Sequence, residues 1–169
     1  RVTASIGMTL FPADSEQPDE LIQQADTAMY SAKSSGRNAV RAYLPSMAIA
    51  ARKRHQIENE LRAALPREQF CLYYQPKIDL KSGRIAGFEA LLRWLHPRQG
   101  VVSPNDFIPI LEESGMILEV GQWVIEQICR DLPSLQSAGL LDASRTVAFN
   151  VSARQFHQAD FVQKISQTL

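Results

Sequence analysis

Cysteine is scarce, a long apolar run is absent, and neither sign of charge prevails. Only two cysteines, Cys71 and Cys129, occur among 169 residues, and no C-x-x-C pair offers a metal-ligand spacing. Both sit inside apolar patterns, which predicts small buried thiols in a reducing compartment rather than a disulfide framework. No apolar stretch reaches the roughly 18 residues that span a bilayer, and no signal-peptide pattern is present. Lysine plus arginine equals aspartate plus glutamate at 18 each, for a formal net charge of zero. No global basic field therefore argues for a nucleic-acid polymer, and no acidic field for a solvating tail. The chain opens on Arg1 inside a strand-like run, which reads as a cut sequence with any upstream anchor or sensor out of view. What remains is a soluble globular composition, 45% hydrophobic and 21% charged.

Along the chain, residues 1–10 alternate like a strand. Pro18 suits the first turn of a helix, Asp19 and Glu20 complement its dipole, and Leu21, Ile22, Ala25, Ala28, Met29 and Ala32 share one face. Gly36 supplies a left-handed stop, and residues 38–43 read as a return strand. A second helix runs from about Ser46 to Leu65. Arg52, Lys53 and Arg54 interrupt its apolar positions, so the expectation is an exposed connector. After Pro66 the pattern changes to a strand over 70–78, a turn at Lys81-Ser82-Gly83 and a strand over 84–94. Two helices follow, one started by Ser103-Pro104, running to about Glu113 and stopped by Gly115, and one marked by Ile117, Val120, Val124, Ile128, Leu132 and Leu135. Pro133 is expected to kink or shorten the second. A strand over 146–152 and a last helix striped by Phe161, Val162, Ile165 and Leu169 complete an α/β pattern.

Two strands carry chemistry. With a period of two, Ile85, Gly87, Glu89, Leu91 and Arg93 share one face of the first, and Ala86, Phe88, Ala90, Leu92 and Trp94 the other. A carboxylate and a guanidinium thus lie on an otherwise apolar strand, where an unpartnered charge is costly. A structural Glu89–Arg93 salt bridge is the plain explanation. In the later strand, Val147, Phe149 and Val151 oppose Asn150, again a polar group at a strand end. Carboxylate and amide oxygens suit Mg²⁺ or Mn²⁺, and an arginine fork suits phosphate, so the three together point to metal-assisted phosphoryl chemistry.

The strings Tyr74-Gln75-Pro76, Gly87-Phe88-Glu89-Ala90-Leu91-Leu92-Arg93-Trp94, Phe107-Ile108-Pro109 and Asn150-Val151-Ser152-Ala153-Arg154-Gln155 resemble, in order and spacing, the EAL phosphodiesterase family. Val2-Thr3-Ala4-Ser5-Ile6-Gly7 and the run from Ala25 to Asn38 look like the close of a GGDEF domain. The resemblance implies the end of an α/β GGDEF domain over 1–43, a connector helix over 44–65, and the first half of a TIM-barrel-like EAL domain over 66–169.

It further implies Glu89 as the catalytic carboxylate and, with Asn150, as a ligand of a two-metal Mg²⁺ or Mn²⁺ site. Arg93 and Gln75 would contact cyclic-di-GMP, which would be opened to linear pGpG. Lys33 and Arg37 would hold nucleotide phosphates, with GTP as the ligand of the GGDEF part. Their plain alternative is favourable placement at a helix C-terminus. For Glu112 and Glu113, further carboxylates at a helix end, a structural or solvent-facing role is the expectation. A catalytically degenerate cyclic-di-GMP receptor and a bifunctional cyclase stand as alternative functions. The resemblance also leaves a homodimer open. The implied setting is the cytoplasm, or the cytoplasmic portion of an inner-membrane protein.

Overall fold

The computed structural model describes residues 2–168 and divides into two compact units, one running to Ile57 and the other from Glu58 onward. Among the described residues, no helix is long and apolar enough to cross a membrane.

In the first unit, β1 (Ile6–Met8) pairs in parallel with β2 (Val40–Ala42), and α1 (Pro18–Ser34) connects them. Parallel pairing needs such a crossover. Helix and strand touch at Gly7, where a Cβ would fall 1.9 Å from the Ala25 carbonyl oxygen, so only glycine permits the approach. Ala28 and Ala32 are the buried positions of α1. The strand expected over 1–10 contracts to three residues because β2 offers only three partners; Arg1 lies outside the described residues.

Helix α2 (Pro45–Ala64) begins one residue before the expected Ser46. It is not exposed throughout. Ile57, Leu61 and Ala64 are buried, and their spacing of four and three places them on one helical face. Of the basic triplet, Arg52 and Lys53 are exposed, whereas the Arg54 guanidinium lies 5.7 Å over the Tyr30 ring.

The second unit is built on a four-stranded sheet. β3 (Phe70–Ile78) runs antiparallel to β4 (Ile85–His96) along its length. The intervening turn is too short for a parallel crossover. Asp79 organises that turn, its Oδ1 accepting from the Lys81 and Ser82 backbone N–H groups at 3.0 and 2.7 Å. The other edge of β4 is shared. β5 (Gly100–Val102) pairs antiparallel with its C-terminal end, and β6 (Thr146–Phe149) pairs in parallel with Gly87 to Ala90. β5 was not foreseen in the sequence, and β6 ends before Asn150 rather than at Ser152.

α3 (Pro104–Ser114) closes on Gly115, left-handed at φ 84°. α4 (Ile117–Ser137) continues past Pro133 instead of ending there. The burial of Val124 and Ile128, with Leu132 packed beside them, offsets the roughly 3 kcal/mol that an interior proline costs. The short α5 (Ala153–Phe156), also unforeseen, and α6 (Phe161–Thr168) follow; Leu169 lies outside the described residues.

The core lies between the sheet and its helices. Trp94, Phe107 and Leu111 are fully buried, and the Trp94 and Phe107 rings meet edge to face at 5.8 Å. Buried His96 accepts at Nδ1 from the Arg98 and Gln99 backbone N–H groups. The ring proton therefore sits on Nε2, 3.2 Å from a Glu60 carboxylate oxygen, which ties α2 to the β4–β5 turn.

Candidate functional site

Register assigns every side chain of the sheet to one of two faces. Cys71 lies opposite Arg93, Tyr73 opposite Leu91, and Gln75 opposite Glu89, so these six share a face. The parallel pairing of Glu89 with Ala148 puts β6's Ala148, and Asn150 just past its end, on the same side. The opposite face carries Leu72, Tyr74, Ala90, Leu92, Val147 and Phe149, all packed with Val124 and Ile128 of α4. One face is closed and apolar. The other is open and polar.

Gly87 permits the approach of β6 to β4. A Cβ there would lie 2.3 Å from the Thr146 carbonyl oxygen, so any larger residue would push the strand away. With β6 seated, the Asn150 amide Nδ2 donates to Glu89 Oε1 at 2.8 Å across 61 residues of sequence. The plain alternative of a Glu89–Arg93 salt bridge does not occur. Arg93 instead donates from Nη1 to the Leu92 carbonyl at 2.9 Å and lies over the Tyr73 ring at 5.3 Å. Among the described residues, no carboxylate pairs with it. A half-buried guanidinium without a carboxylate is suited to an anionic ligand. Beside it, burial pushes the Cys71 thiol up from its ordinary value, and Arg93 pulls it partly back.

The segment after β6 is fixed by a reciprocal cap. The Ser152 hydroxyl accepts from the Gln155 backbone N–H, and the Gln155 side-chain oxygen accepts from the Ser152 backbone N–H. Gln155 is buried against Gly121, where a Cβ would sit 1.9 Å from its Nε2. Arg154 donates to the carbonyls of Glu112 and Glu113 at the end of α3. A cavity of about 320 Å³ at this end of the sheet is lined by Arg93, Asn150 and Glu112 and, from the apolar side, by Leu92, Val120 and Val124. Glu112 meets Arg154 through its backbone carbonyl, and the residue also borders the cavity, which was not expected.

Glu89 and Asn150 are in contact, and Gln75 and Arg93 share their face. Lys33 and Arg37 belong to the first unit, both exposed at the end of α1, with Arg37 at φ 63°. Tyr73 was missed; its only signal was parity with Gln75 along β3. Among the described residues, no group of three or more His, Cys, Asp or Glu side chains is arranged to hold a metal.

A family model described as "EAL domain" matches residues 58–169, and one described as "Diguanylate cyclase, GGDEF domain" matches residues 1–39. The bifunctional diguanylate cyclase/cyclic di-GMP phosphodiesterase MucR of Pseudomonas aeruginosa is 40% identical over 169 residues, which is 100% of this chain and 24% of that protein. The cyclic di-GMP phosphodiesterase PdeR of Escherichia coli is 35% identical over 167 residues, 99% of this chain and 25% of that one. The chain spans about a quarter of the length of these relatives. Among solved structures, the MucR phosphodiesterase in complex with c-di-GMP superposes with a TM-score of 0.62 at 39% identity, covering 68% of this chain and 45% of that one. The Xanthomonas citri FimX EAL domain in complex with c-diGMP gives 0.56 at 26% identity, covering 70% and 45%. From residue 58 onward this chain belongs to the EAL domain family, and the residues before it carry the end of a GGDEF domain.

Proposed function

We propose that the open face of the sheet is one wall of a cyclic-di-GMP phosphodiesterase site. The observation that carries this reading is the contact between Glu89 and Asn150 on the same face of the sheet as a guanidinium with no carboxylate partner among the described residues. In this reading, hydrolysis of one phosphodiester of the cyclic dinucleotide yields linear pGpG.

Glu89 and Asn150 fit a Mg²⁺ or Mn²⁺ ion, because carboxylate and amide oxygens are the hard donors such cations take. Asn150 turns its nitrogen to Glu89; rotating the amide by half a turn brings its oxygen beside the same carboxylate. The cation, when bound, supplies Lewis acidity and a water of lowered pKa. Arg93 presents a planar fork to a phosphate oxygen, and Gln75 offers an amide from β3 on the same face. Lys33 and Arg37 are proposed to meet nucleotide phosphates, GTP included, in the GGDEF part.

Two protein donors are fewer than a two-metal site requires, and β6 pairs with β4 alone among the described residues. The 169 residues by themselves are therefore expected not to turn over. The test is to incubate the purified chain and the complete protein with cyclic-di-GMP and Mg²⁺ or Mn²⁺ and to resolve linear pGpG by chromatography. The complete protein should produce it and the chain should not. No pGpG from the complete protein would overturn the phosphodiesterase reading, and matching rates would overturn the account of the missing donors.

A further inference from the structure

Arg93 leans along the sheet rather than across it. Its register partner is Cys71, yet its guanidinium carbon lies 5.3 Å over the ring of Tyr73, two residues further along β3. Side chains on one face of these strands form rows: Cys71 with Arg93, Tyr73 with Leu91, Gln75 with Glu89. Successive rows are about 6.8 Å apart, twice the rise per residue. The ring thus draws the guanidinium one row toward Glu89, the residue that Asn150 contacts.

Tyr73 is poorly explained as a core residue. It is 49% exposed, and its hydroxyl bonds to no described residue. Phe70 and Trp123 pair with each other, and Phe70 lies on the opposite, apolar face of β3 by register parity. A ring face attracts a cation through its quadrupole without accepting in-plane N–H groups. One Arg93 Nη1 bond goes to the Leu92 carbonyl, and the remaining N–H groups stay available for an incoming anion.

We propose that Tyr73 is the positioning residue for Arg93, holding its guanidinium over the open face with the fork free for a phosphate of the ligand. This rests on the reading of Arg93 as a phosphate contact. Tyr73 touches no reacting atom and acts through the arginine alone. Without the ring, the guanidinium regains its rotamers and the ligand must order it on binding.

The experiment is a double-mutant cycle on cyclic-di-GMP affinity in the complete protein, with divalent cations chelated to prevent turnover. Tyr73→Leu should weaken binding about three- to five-fold, and Tyr73→Phe, which keeps the ring face, should restore it. In an Arg93→Ala background, Tyr73→Leu should have no further effect. Tyr73→Thr provides a second ringless variant that favours the strand, should the leucine variant misfold. If Arg93→Ala leaves affinity unchanged, the phosphate reading falls and this inference with it. If Arg93→Ala weakens binding while Tyr73→Leu and Tyr73→Thr match wild type, the positioning role alone is overturned. An equal loss from Tyr73→Leu with and without Arg93 would also overturn it, because the ring would then act independently of the arginine.

Discussion

The two faces of the sheet formed by β3, β4 and β6 share one backbone yet follow opposite rules. Toward α4, the strands present Leu72, Ala90, Leu92, Val147 and Phe149, and the gain comes from removing apolar area from water. Away from α4, the same strands present Gln75, Tyr73, Glu89, Arg93 and Asn150, and little there serves the core. A strand alternates by geometry, so one stretch of β4 can anchor a fold and carry a site without compromise between them. The teaching is that stability and chemistry are separable here residue by residue. Substitutions on the first face should unfold the protein, and those on the second should leave it folded.

The sharpest test of the apolar side is Trp94→Ala. Its side chain is fully buried between Phe107 and His96, so truncation should cost about 3–5 kcal/mol in a denaturant titration. A loss under 1 kcal/mol would show that the packed side is not where stability resides. Gly121→Ala comes next. Its Cβ would collide with Gln155, so a loss of about 1–3 kcal/mol is expected despite the better helix propensity of alanine. In a Gln155→Ala background the same change should become neutral or stabilising, which the unfolding midpoints would reveal.

Tyr74→Phe should cost about 1 kcal/mol, because the phenol donates to Asp131 at 2.8 Å. Burial, followed by that hydrogen bond and the nearby carboxylate, raises the Tyr74 pKa above its ordinary value. Its contribution is complete below the unfolded pKa of about 10 and is lost as pH rises beyond it. Tyr74→Phe should flatten the alkaline limb of the stability profile, as thermal melts across pH would show. The smallest effect belongs to the open side. Asn150→Ala should shift stability by less than about 0.5 kcal/mol. A larger loss would mean that the Glu89–Asn150 contact is structural after all.

Much of the division between faces was legible in the sequence because β4 is long and regular. Glu89 and Arg93 on one side, with Phe88, Leu92 and Trp94 on the other, follow from a period of two. The turn at Lys81-Ser82-Gly83 and the Gly115 stop were readable for the same local reasons. The failures are non-local or short. β5 and α5 span three and four residues, below any useful periodicity. Ile57 and Leu61 are legible as apolar positions of α2, but the basic triplet on the same helix argued for exposure, whereas both are buried with Ala64. Pro133 weighed against α4 because the packing that retains it lies elsewhere in the chain. Val151, grouped with Val147 and Phe149 by alternation, is instead 40% exposed, since the strand ends before it. Tyr73 became visible only through a diagonal contact between strands.

Glu89 is the residue on which the open face depends most directly as a phosphodiesterase site. The decisive measurement is metal-dependent conversion of cyclic-di-GMP to pGpG by the complete protein carrying Glu89→Ala, read beside its thermal unfolding midpoint. The predicted result is a fall in turnover of about 100-fold or more with the midpoint unchanged. A folded Glu89→Ala protein with near-wild-type turnover would contradict the assignment of the open face as the phosphodiesterase site.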